Sequence, residues 1–109
     1  MTLHVTKKDI QSGKREDVSG CPIALTIKRA MTKMGFRLGQ FVVDVTQSSI
    51  TIAKKSRSGG YIPVFSMNCD SKASKFVDRF DAYGTTAVAP MDIKLPNLRA
   101  SLRQTRILA

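Results

Sequence analysis

Few residues capable of covalent or acid–base work stand in usable combinations. His4 is the single histidine, and no second metal ligand follows it at a useful spacing. On a short strand near the start of the chain it is expected to be solvated or structurally bonded. Asp78 and Asp81 lie three residues apart, but paired carboxylates do acid–base work only in a cleft that drives their pKa values apart. With Lys75 and Arg79 one turn away, helix-surface ion pairs are the expected arrangement. Cys21 and Cys69, the only cysteines, lack metal-binding spacing and read as small buried hydrophobes with reduced thiols. Ser58-Gly59-Gly60 falls between two strands rather than before a helix, so it is a flexible hairpin tip and not a phosphate cradle. Nucleophile-elbow, Walker-type and dinucleotide motifs are absent. No catalytic residue, metal or cofactor is assigned, and the chain is read as not an enzyme.

Charge is more informative. Eighteen Lys and Arg against eight Asp and Glu give a net charge of +10, which attracts polyanions and says little about fold. Lys54, Lys55 and Arg57 occupy a strand end and a loop with Gly-Gly freedom, suited to following a phosphate backbone. The competing reading is a solvated loop whose lysines guard a sheet edge. Arg99, Arg103 and Arg106 recur at four and three residues beside Leu98 and Leu102, the pattern of a basic amphipathic helix. That segment could meet RNA, an anionic membrane or an acidic partner, or be a disordered or leucine-docked terminus. Lys28 and Arg29 add a basic face to an earlier helix, where Lys33 also lies. These eight residues (Lys28, Arg29, Lys54, Lys55, Arg57, Arg99, Arg103 and Arg106) are the candidate nucleic-acid contacts. Tyr61, Phe65 and Phe36 lie near basic residues but are assigned to packing, since aromatic content is only 6% and a core needs those rings.

The elements that must carry these residues belong to one domain of 109 residues, with an apolar fraction of 42% that is ordinary for a globular protein. Leu3–Thr6 alternates as a short strand, and Lys7–Gly20 reads as loop or a single helical turn. A helix follows from Pro22, at a position that tolerates its missing N–H, with Ile23, Ile27, Ala30, Met31 and Met34 as its apolar stripe and Gly35 as its stop. Phe41–Val45 and Ile50–Ala53 form a hairpin, and Tyr61–Met67 is a third strand confined to an edge or a strand start by Pro63. A second helix begins at Asp70 or Ser71, carries Ala73, Phe76, Val77, Phe80 and Tyr83 on its apolar stripe, and ends at Gly84. Ala87–Leu95 is a last strand interrupted by Pro90. The expected architecture is α+β: β-α-β-β-β-α-β, with a mostly antiparallel sheet of about five strands and two helices on one face. Residues 1–95 form the globular domain and 96–109 a basic C-terminal tail. No stretch is apolar over the length of a membrane helix, and the N-terminus lacks the core of a secretory signal. A cytoplasmic setting is the expected location.

Several residues together resemble a family of small uncharacterised phage and prophage proteins. The match runs from Asp9-Ile10 and Gly13, through Cys21-Pro22-Ile23-Ala24 into Lys28-Arg29. It continues with Phe76 and Phe80-Asp81, then Val88, Pro90 and a strand ending at Leu95, covering roughly residues 3 to 95. The chain departs from the family in Asp81-Ala82-Tyr83-Gly84, in its longer basic hairpin and in its arginine tail. The resemblance implies a viral origin and little chemistry. The expected function is a non-enzymatic accessory protein that binds nucleic acid or a nucleoprotein complex through basic surface, mostly by phosphate contacts. The alternative is an interaction module docking on an acidic host or virion protein, as an inhibitor of a host protein or a capsid component.

Overall fold

The computed structural model describes residues 1–107, with side chains placed through Thr105. Strand β1 (Thr2–Val5) runs into α1 (Lys7–Ser12), and α2 (Pro22–Lys33) precedes three strands, β2 (Phe41–Val45), β3 (Ser49–Lys55) and β4 (Tyr61–Asn68). Helix α3 (Ser71–Tyr83), β5 (Met91–Lys94) and α4 (Leu98–Ile107) complete the chain. The fold is α+β in one domain. Its strands divide between two antiparallel sheets, β1-β5 and β2-β3-β4, where one sheet was expected. Helix α2 packs on both β1 and β2 and so ties the sheets together.

Local chemistry explains the helix boundaries. Thr6 and Asp9 form a reciprocal capping box at the start of α1, which extends the expected single turn to a six-residue helix. Pro22 sits at the first position of α2, against Gly13, where an added Cβ would lie 2.6 Å from the Pro22 ring. Asp70 caps α3 by accepting from the Ala73 N–H at 2.8 Å. Gly84 ends that helix at φ 84°, a backbone conformation in which a Cβ is strained.

In the three-stranded sheet, Val43 lies opposite Ile52 and Val45 opposite Ile50, while Ile52 faces Phe65 on β4. These side chains are buried on one face of the sheet beneath Ile23, Ile27 and Met31 of α2 and Phe76, Val77 and Phe80 of α3. Pro63 lies on edge strand β4, next to a register shift at Ile52/Ala53, so the missing N–H interrupts no central ladder. One stripe residue and one strand length are corrected. Tyr83 is 75% exposed at the end of α3, because the helix stops one residue later and leaves nothing to cover the ring. The last strand is only four residues long, since a 3-10 turn at Thr85–Ala87 and Pro90 precede it.

The C-terminal segment is integral to the packing. Leu95, Leu98 and Leu102 are completely buried in the same core as α2 and the sheets, and Leu95 N–H bonds the Met1 carbonyl at 2.9 Å. The leucines at four-residue spacing turn one face of α4 inward. Residues 98–105 are therefore part of the domain rather than a tail beside it.

Candidate functional site

Docking of α4 brings its C-terminal end to the base of the basic hairpin. Thr105 is buried at that end, and its carbonyl accepts from Lys54 Nζ of β3 at 3.0 Å. The ammonium satisfies a carbonyl of the last turn, where the helix dipole favours positive charge. This bond joins two basic segments 51 residues apart. A groove of about 580 Å³ opens there, lined by Gln40, Lys55, Arg57, Ile62 and Thr105 among others. On the flank of α4, Arg99 and Arg103 share a smaller pocket of about 100 Å³ with Met34 and Phe36, at the end of α2. Lys33 and Arg37, immediately outside that pair in the chain, are exposed.

The eight candidate contacts separate into two groups. Lys55, Arg57, Arg99 and Arg103 are exposed, with no hydrogen-bond or ion-pair partner among the described residues. Lys28, Arg29 and Lys54 hold intramolecular partners. Lys28 Nζ donates to the Ser19 carbonyl at 2.6 Å. Arg29 pairs with Asp9 and donates to the His4 carbonyl at 3.0 Å, joining α2 to α1 and β1. Burial pushes the Asp9 carboxyl up, but hydrogen bonds from the Thr6 N–H, Arg29 and the Thr6 and Thr26 hydroxyls outweigh it and hold the group below its ordinary value. The Arg106 side chain lies outside the described residues.

Carboxylates are distributed unevenly. Four of the eight acidic residues, Glu16, Asp17, Asp78 and Asp81, line one pocket, while none lines the hairpin groove or the arginine pocket. Neither patch therefore has a carboxylate in its lining. The hairpin patch also carries an aromatic residue. Tyr61, cross-strand from Lys55, is 53% exposed beside Ile62 at 51%, correcting its assignment to packing. Strand β4 begins there, past the reach of the core. Phe65 is buried, and Phe36 meets Phe41 edge-to-face at 5.8 Å, as expected of packing rings.

The histidine, the Asp78 and Asp81 carboxylates and the two cysteines have structural partners or burial. His4 Nδ1 lies 2.6 Å from Asp92 in a cross-strand pair. Asp81 accepts from the Glu16 N–H at 2.9 Å, and Asp78 faces the Gln47 amide. The helix-surface pairs expected with Lys75 and Arg79 are not formed among the described residues. Both carboxylates instead line a pocket with the 16–18 and 46–47 loops, whereas Lys75 and Arg79 line a separate groove. Cys21 and Cys69 are free, and burial raises both thiols. Among the described residues, no three His, Cys, Asp or Glu side chains gather as metal ligands. No helix of the described residues is long and apolar enough to cross a membrane. Arg29 and Lys54 could not have been separated from the free cations by spacing, though Thr6-x-x-Asp9 was a legible signal that Asp9 had local work. Against protein-family models, curated proteins and solved structures, the chain finds no match.

Proposed function

We propose that this is a small, non-enzymatic accessory protein of the phage type that binds nucleic acid, alone or within a nucleoprotein machine. Its contacts are mostly to phosphate, made by Lys55 and Arg57 of the hairpin and by Arg99 and Arg103 of α4. The observation that carries this reading is the Lys54–Thr105 bond, which seats the arginine helix on the base of the basic hairpin. Exposed Tyr61 beside Lys55 adds a surface on which an unpaired base can stack. The phage assignment rests on the resemblance running from Asp9 to Leu95.

Fluorescence anisotropy with labelled duplex and single-stranded DNA and RNA, across a salt series, tests the proposal. Four phosphate contacts predict a log–log salt slope of about −3.6 on duplex and about −2.8 on single strands. The combined K55Q, R57Q, R99Q and R103Q variant should lose most of that slope while keeping its circular dichroism. Absence of binding at low salt, or affinity flat with salt, refutes the proposal.

A further inference from the structure

A second basic surface shares no residue with the hairpin groove or the arginine pocket. Lys72, Lys75 and Arg79 of α3 line one wall of a groove of about 500 Å³, and residues 86–91 form the other. All three cations are exposed and lack a hydrogen-bond or ion-pair partner among the described residues. No carboxylate lines the groove. Apolar atoms of Phe76, Val88, Pro90 and Met91 also line it, which a purely phosphate-binding surface would not require.

Between the 3-10 turn at Thr85–Ala87 and the start of β5, the facing wall has a short stretch that pairs with no other strand. Val88 is extended, at φ −131° and ψ 156°. The N–H groups of Val88 and Ala89 donate no hydrogen bond among the described residues. The segment leads into β5, which pairs only with β1 and leaves its second edge open. An open edge with free donors is a template for an added strand. Spacing agrees with this. Lys75 and Arg79 are about 6 Å apart along the helix axis at 1.5 Å per residue, and alternate residues of an extended peptide are about 6.6 Å apart.

From these features we infer that the α3 groove binds an extended acidic peptide, with carboxylates at alternate positions facing Lys75 and Arg79. Backbone pairing with Val88, whose N–H and C=O share one edge, supplies orientation, the cations select the charge, and the apolar lining packs on the aliphatic stems of the same carboxylate side chains. A nucleic-acid strand has no backbone donors and acceptors in strand register, so this surface is distinct in kind from the one on α4.

The test uses the full chain and an eight-residue fluorescein-labelled peptide of alternating glutamate and valine. Companion peptides carry glutamine for glutamate, or N-methylated backbone amides. The groove predicts saturable binding, weakened at least tenfold by glutamine, by N-methylation and by the K75Q/R79Q variant. Both replaced side chains are exposed, and an unchanged thermal melt verifies the fold. A single-stranded oligonucleotide should not displace the peptide, and K75Q/R79Q should leave oligonucleotide affinity within twofold. Equal peptide binding by wild type and variant overturns the inference. So does displacement by the oligonucleotide, which would make the groove part of a general polyanion surface while leaving the α4 reading intact.

Discussion

Replacing Asp9 with Asn removes one charge from the junction of α1, α2 and β1 with almost no change in volume. The carboxylate is 7% exposed and its Arg29 partner 39%. Asp9 also accepts from the Thr6 N–H at 2.9 Å and the Thr26 hydroxyl at 3.0 Å. Breaking a fully buried pair costs about 3–5 kcal/mol. Because water reaches Arg29 and screens it, and Asn retains one acceptor for Thr6, about 2 kcal/mol is expected here. For a domain of this size that corresponds to a fall in Tm of about 8 °C. Urea unfolding of D9N and wild type between pH 7 and pH 2.5 gives both the size and the sign. The Asp9 pKa is lowered in the fold from its ordinary 3.8, so its contribution is complete above that value and disappears as pH falls through the lower, folded value. The gap between wild type and D9N should therefore be widest at neutral pH and close in acid. A difference below 0.5 kcal/mol at pH 7, or a gap that fails to narrow in acid, would refute the assignment of Arg29 to structure rather than to ligand contact.

Two further outcomes follow from burial. Leu102→Ala opens a cavity at a completely buried position and should destabilise the whole domain by about 3 kcal/mol in chemical denaturation; a wild-type midpoint would show that α4 is not part of the core. Cys21, with 3% of its surface accessible, should react with a thiol reagent under native conditions far more slowly than the half-buried Cys69, burial holding both thiols protonated. Equal native labelling rates would contradict the placement of Cys21 at the start of α2.

Much of the local architecture was legible in the residues. Ile23, Ile27 and Met31 at helical spacing, the β-branched runs 41–45 and 50–53, and the Asp70 cap each state a preference satisfied within a few residues. The exposure of Tyr61 and Tyr83 was not legible, because an aromatic at the end of an element is covered only if a distant segment reaches it. Division of the strands into two sheets likewise depends on α2 packing between them rather than on any strand's own sequence.

For the candidate site, the sequence by itself determined the amount of positive charge, its three clusters and the helical phase that aligns Arg99 and Arg103 beside Leu98 and Leu102. Only tertiary structure decided which cations are available. Arg29 and Arg99 are the same residue type on helix flanks, yet Arg29 meets a carboxylate 20 positions earlier in the chain and Arg99 meets none. Lys54 and Lys55 are neighbours, yet alternation along β3 turns one toward the Thr105 carbonyl and the other toward solvent. The physical reason is that periodicity records how a residue faces its own element, whereas a charge is neutralised by whatever the fold carries to within a few ångströms of it.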